Sequence, residues 1–311
     1  MNMGKISIKR LSYSHITKES MARLSLATVG ALMAMKFTAS FLTGSVSIRA
    51  DALHSTIDFV GAIVALVCIR IAAKPADRQH AFGHGKAENI AGVFVAMLIC
   101  SAAGTIAYEA IVRLISGGTV EMVSVGIYIT AAALFLNLIV SRFALRVART
   151  TDSIALEATG RDLMADSYSS IAVLLGLVLV RLTGIDVLDP IIALIVAAII
   201  TRTAIDTFRR SLAGIMDARL TKEEEAIIRS CIGEYQGQAA GIRHLRTRKS
   251  GCERYVDFQL LLPPHLSVLE AHTICDELEA QIAQRLDMVH STIHIEPCGE
   301  ACEQCSAVCR E

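Results

Sequence analysis

Residues 51–73 read DALHSTIDFVGAIVALVCIRIAA, and the contrast inside that stretch decides the fold. From Phe59 to Ala73 it is apolar apart from Arg70. With the turns before it, the stretch is long enough to cross a bilayer, which takes about 20 residues of helix. Its leading part nevertheless carries Asp51, His54 and Asp58. An ionisable group in a spanning helix costs about 2.5–3.5 kcal/mol on insertion scales, so such groups need a chemical reason to be there.

Working outward, five further stretches have spanning length and character, at 22–47, 88–115, 122–146, 162–182 and 187–210. They explain why 53% of the chain is hydrophobic and only 19% charged, against about 45–50% and about 25% for ordinary soluble domains. Ser45–Ala50, Ser116–Glu121 and Thr183–Asp189 are short and poor in Lys and Arg. The N-terminus, Arg70–Lys86, and Arg142–Arg149 together with Arg161 are richer, so both termini are expected in the cytoplasm of a cell (inner) membrane. The first twenty residues lack the apolar core and cleavage site of a signal peptide. Trp is absent and aromatics are few, so interfacial aromatic belts are weak. A net charge of zero gives no ground for nucleic-acid binding.

Beyond Arg210 the pattern becomes that of a soluble domain. Thr221 caps an expected helix over Lys222–Tyr235, with Glu223 and Glu224 in its first turn. Ile242–Arg248 and Tyr255–Leu262 read as strands, the second through its alternating Val256, Phe258 and Leu260. Ser267 starts a helix to about Leu286, and Thr292–Glu296 reads as a last strand. The expected fold is a membrane all-α six-helix transporter domain plus a small cytosolic α+β domain of order α-β-β-α-β. The chain then divides into a cytosolic N-terminal segment (1–20), a six-span domain (21–212), the cytosolic domain (213–297) and a Cys-rich tail (298–311).

The intramembrane charges form a pattern. His54 and Asp58 are one helical turn apart, and so are Asp162 and Asp166 in the fifth span, so each pair shares a face. One nitrogen and three oxygen ligands in tetrahedral array suit Zn²⁺. Asp51, one turn earlier, faces either the outer mouth or the interface. Asp77, His80 and His84 lie in the loop after the second span, where the two imidazoles flank a Phe-Gly turn and can join Asp77 around a metal. Cys298, Cys302, Cys305 and Cys309 space four thiols over the tail, enough to wrap Zn²⁺ or Cu(I) if the tail stays reduced; the alternative is incidental thiols. Metal ligands must be deprotonated, so metal binding and protonation exclude one another. An ordinary imidazole titrates near 6.5, which suits His54 to that exchange.

No His-Glu-x-x-His, no Ser/His pair within a span and no complete phosphate-binding Gly-rich loop is present. An enzyme, nucleotide use and an organic cofactor are therefore not expected. A membrane metal sensor that binds without moving its ion is the alternative to a transporter; flux separates the two.

The run Ala50-Asp51-Ala52-Leu53-His54-Ser55-x-x-Asp58, followed by Pro75-Ala76-Asp77-x-x-His80-x-Phe82-Gly83-His84-Gly85-Lys86-x-Glu88, resembles the cation diffusion facilitator family. Leu245-Arg246-Thr247-Arg248-x-Ser250-Gly251, Glu270-Ala271-His272 and Ile293-His294-Ile295-Glu296-Pro297 agree in order. The resemblance implies a homodimeric divalent-metal/proton antiporter of alternating access, with a metallochaperone-like cytosolic domain for dimerisation and metal sensing. It implies transport ligands at His54, Asp58, Asp162 and Asp166, and a second, interfacial metal at Asp77, His80 and His84. It further implies cytosolic-domain ligands at His272, His294 and Glu296, and a charge interlock between Lys86 and Asp217. Two departures stand out. The fifth span offers Asp-x-x-x-Asp where zinc-specific members commonly place His-x-x-x-Asp, a harder donor set that brings Mn²⁺, Fe²⁺ and Co²⁺ into range beside Zn²⁺. Arg243 and Gln259 stand where related members place histidines, with His244 adjacent as a substitute.

Overall fold

The structure is a computed structural model that describes residues 3–43, 46–116, 124–183, 187–235 and 241–298. Six long helices come first: α1 (Met3–Thr43), α2 (Val46–Ala72), α3 (Ala87–Ser116), α4 (Ser124–Thr151), α5 (Ile154–Thr183) and α6 (Leu188–Ile215). Then follow α7 (Lys222–Gly233), β1 (Gly241–Ser250), β2 (Glu253–Leu262), α8 (Val268–Arg285) and β3 (Val289–Pro297). The chain forms two compact units, a helical one within Ile8–Leu212 and a smaller one from Ala213 onward.

The helical unit is inside out. On α2, Ile57, Val60, Ile63 and Val67 recur at helical spacing and are exposed, while Asp58, Ala62, Ala65 and Ile69 are buried. In water such a stripe would be a large apolar patch without a partner; in hydrocarbon it is the stable arrangement. Among the described residues, Ser55–Ala72, Ala87–Ser116 and Pro190–Ile215 are long and apolar enough to cross a membrane. Alanine dominates where helices meet. One cluster joins Ala22, Ala91, Ala144, Ala148 and Ala155 to Leu66, Ile69 and Leu163. A second joins Ala103, Ala158, Ala165 and Ala204 to Val95, Ile99 and Ile200. Small side chains let backbones approach closely, which is how helices associate without a hydrophobic driving force between them. Gly92 is the extreme case: a Cβ there would collide with the Ser211 hydroxyl and with Ile154.

Two boundaries differ from the sequence reading. α1 begins near the chain start rather than at 22, and α5 begins at Ile154 rather than at 162. Asp152 adopts φ 55°, which ends α4. Ser153 then opens α5, its carbonyl accepting the Glu157 N–H at 3.0 Å. Arg161, read from sequence as a loop charge, sits within α5 because Glu157 (2.7 Å) and Thr207 (3.2 Å) accept its guanidinium hydrogens. Asp162 and Asp166 therefore stand in the third and fourth turns of their helix rather than at its start.

The smaller unit has the expected α-β-β-α-β order. β1 and β2 pair antiparallel, β2 and β3 pair parallel, and the sheet order is β1-β2-β3. Parallel pairing needs a crossover, and α8 supplies it. Thr221 and Ser267 each close a capping box with a glutamate three residues on, Glu224 and Glu270. Ile228, Cys231, Val256, Phe258, Leu260, Leu278 and Ile282 form the core between helices and sheet.

Candidate metal centres

Asp58 on α2 and Asp162 on α5 are 7% and 8% exposed, in a helical unit whose outer surface is isoleucine and valine. Asp162 lies within electrostatic reach of both Asp58 and Asp166. Three carboxylates from two neighbouring helices thus bear on one region. His54 lies on α2 one turn before Asp58, but its side chain is outside the described residues, as is that of Asp51.

Sequence reasoning missed a cation beside this region. Lys36 of α1 donates from Nζ to Ser55 Oγ at 2.8 Å, and Ser55 is between His54 and Asp58 in sequence. The span 22–47 had been read by its average apolarity, which hides one lysine. Lys18, one of the N-terminal cations, is buried on α1 with its ammonium 3.1 Å from Glu88 Oε1. Glu88 in turn accepts a short hydrogen bond from Ser153 Oγ, tying α1 and α3 to the start of α5.

The loop between α2 and α3 holds the most compact donor cluster. The ligand atoms of Asp77, His80 and His84 all lie within 4.8 Å of one another, the one such group of three among the described residues. His80 Nδ1 and His84 Nε2 each stand 3.4 Å from an Asp77 oxygen, and the two rings are 4.5 Å apart. Backbone builds the cluster. The N–H groups of His80 (2.7 Å) and Gln79 (2.8 Å) donate to Asp77 Oδ1. Gly83, at φ 75°, turns the chain back so that its N–H reaches the His80 carbonyl. Those amide donors, the His80 N–H first, hold the Asp77 carboxyl below its ordinary value, so it is an anion ready for a cation. The donor set fits a divalent transition metal, with one carboxylate and two imidazoles whose ligand atoms already converge. His84 faces Asp77 through Nε2, while its Nδ1 is buried without a hydrogen-bond partner.

In the smaller unit the expected ligands do not come together. His244 is on β1 and His294 on β3, with β2 between them, so about 10 Å of sheet separates them. Helices cover the face carrying Ile293 and Ile295, whereas His294, 70% exposed, points to the other side and is 4.0 Å from Glu296. His272 stands on α8 and faces Asp276 at 3.7 Å. A single chain therefore does not assemble His244, His272, His294 and Glu296 into one centre, because their register and faces diverge. The register instead sets Arg243, Gln259 and His294 in one row, where Gln259 Oε1 is buried and unpartnered.

Cys298 is 8% exposed, and its sulfur is disulfide-bonded rather than a free thiolate. Cys302, Cys305 and Cys309 lie outside the described residues. Asp217, at φ 54°, accepts from Arg248 at 3.4 Å within its own unit. Lys86 belongs to the helical unit, just before α3.

Comparison with known proteins bears on both units. The family model described as the cation efflux transmembrane domain matches residues 22–216, and that of the cation efflux protein cytoplasmic domain matches 220–298. The uncharacterized transporter sll1263 of Synechocystis sp. is 36% identical over 276 residues, 89% of each chain. The cation-efflux pump FieF of Serratia proteamaculans is 30% identical over 288 residues, covering 92% of this chain and 95% of its own. A solved structure of the candidate zinc transporter CzrB is 38% identical, covering 26% of this chain and 99% of its own, with a TM-score of 0.25.

Proposed function

The chain belongs to the cation diffusion facilitator family of cation efflux transporters, and on that premise we propose that it exports a divalent transition-metal ion from the cytoplasm in exchange for protons. The observation that carries this reading is the inversion of α2: its isoleucines and valines face outward while Asp58 is buried within reach of Asp162. Carboxylates withdrawn from water inside a lipid-facing bundle are tolerable when a cation or protons neutralise them in turn.

In this reading His54, Asp58, Asp162 and Asp166 are the transport ligands. Zn²⁺ is the first choice, because one nitrogen and three oxygens suit its tetrahedral preference. Fe²⁺, Co²⁺ and Mn²⁺ are the other candidates, brought into range by the third carboxylate. Protons compete with the metal for the same lone pairs, so protonation from outside releases the ion and metal from inside releases the protons. Rocking of helices around the fixed site alternates its access. The loop ligands Asp77, His80 and His84 hold a second metal, and the cytosolic unit joins two copies into a homodimer. Its ligands His244, His272, His294 and Glu296 need donors from outside one chain to complete a centre. Lys86 and Asp217 are the charged residues to which the family resemblance gives an interlock role, and Asp217 is paired with Arg248. Residues 1–20, 21–212, 213–297 and 298–311 are its functional divisions, and a cell inner membrane with both termini cytoplasmic is its setting.

The test is Zn²⁺ flux in proteoliposomes with an imposed pH gradient. Asp58→Ala and Asp166→Ala abolish flux while the protein elutes as the wild type does. Undiminished flux in the double variant ends the reading.

A further inference from the structure

Lys36 stands near the middle of the first expected span, 22–47, where a lysine needs a strong reason to persist. Its ammonium donates to Ser55 Oγ at 2.8 Å. Ser55 is itself 4% exposed and lies three residues before Asp58, on the same face of α2. The register between the helices is firm: the Phe59 ring lies against Gly30, where a Cβ would meet it at 3.1 Å, and Arg70 Nε reaches Glu19 at 2.6 Å. The lysine is thus held about one helical turn from a buried carboxylate.

Charge counting gives this placement a meaning. Metal ligands must be deprotonated, so with an ion bound Asp58, Asp162 and Asp166 would bring three negative charges to the interior of a helical unit, where Asp58 and Asp162 are 7% and 8% exposed. One divalent ion removes two of them. In a weakly polarisable interior a leftover charge is costly, and one ammonium beside the site supplies the missing unit. We infer that Lys36 is a fixed counter-cation of the transport site, positioned by Ser55, so that three carboxylates and one divalent ion sum to neutrality. The inference rests on the proposed transport site and adds a positioning residue to it. It has a kinetic consequence. The ammonium repels the transported ion as well as balancing the carboxylates, so it weakens the grip on the metal and speeds release.

The experiment is initial-rate Cd²⁺ flux through the full-length protein in proteoliposomes, with the loading face held near pH 8 so that protons compete little. Lys36→Gln lowers KM about tenfold and lowers kcat with it, because a bare triad holds the ion tighter. Lys36→Arg keeps the charge and restores both parameters. Ser55→Ala keeps the lysine but frees it, and moves KM the same way by about threefold. A structural role alone predicts an unchanged or raised KM in Lys36→Gln and no rescue by arginine, and either result overturns the inference. If Lys36→Gln does not fold, Ser55→Ala against Lys36→Arg decides by the same KM criterion. Asp58→Ala in the same assay separates the two readings: full flux there removes the site itself, whereas loss of flux there with an unmoved KM in the Lys36 and Ser55 variants removes only the role of Lys36.

Discussion

The ammonium of Lys18 and the carboxylate of Glu88, seventy residues apart in sequence, meet at 3.1 Å with 0% and 1% of their side chains exposed. Breaking a buried pair by removing one partner costs about 3–5 kcal/mol, because the other charge is left unpaired; removing both costs far less. Glu88→Ala is therefore expected to lower the thermal midpoint of the detergent-solubilised protein more than Lys18→Met/Glu88→Gln does. A midpoint that falls additively across the two changes would show that the pair is not coupled.

Asp162 bears on metal choice. Asp162→His replaces a hard oxygen donor by an imidazole and sets His-x-x-x-Asp on both helices. The ratio of Zn²⁺ to Mn²⁺ flux, measured in competition, is expected to rise by about tenfold in this variant. An unchanged ratio would take Asp162 out of the ligand set.

His84 tests the loop centre. In an Asp58→Ala background, which silences the transport site, adding His84→Ala is expected to reduce the Zn²⁺ retained per chain after equilibrium dialysis by about one ion. Retention that does not change would assign the Asp77–His84 and Asp77–His80 contacts, both 3.4 Å, to loop structure alone.

Glu224 gives the cytosolic unit a pH dependence. Burial raises its carboxyl pKa, but the Thr221 N–H and the Arg254 guanidinium, 2.7 Å away, outweigh burial and hold it below the ordinary value. A depressed folded-state value gives stability that is present above the unfolded value, about 4.3, and is lost as pH falls through the folded one. Amide hydrogen exchange of α7 is expected to slow with Glu224 intact at neutral pH, and Glu224→Gln to cost about 1 kcal/mol there. The gap between wild type and variant should close as pH drops below about 4.

The sequence was most legible where a signal is local. Thr221 and Ser267, each followed by a glutamate three residues on, marked both helix starts of the smaller unit. The alternation of Val256, Phe258 and Leu260 marked the buried face of its central strand. The pairs His54/Asp58 and Asp162/Asp166 were visible for the same reason, as spacings within single helices. What stayed hidden depends on partners far along the chain. Arg161 is a plausible helix residue only once Thr207 faces it. Lys36 is invisible to a window average until Ser55 is placed beside it. The cytosolic ligands came as a set from the family resemblance, and nothing local in the chain says that β2 intervenes between His244 and His294.

The seam where α3, α5 and α6 meet is paved by Ala103, Ala158, Ala165 and Ala204. Bulky knobs seated in deep holes lock two helices in register, since sliding must first unseat them. Here the alanines leave shallow ground between the knobs Val95, Ile99 and Ile200, and the Arg161–Thr207 hydrogen bond at 3.2 Å adds a polar stitch between α5 and α6.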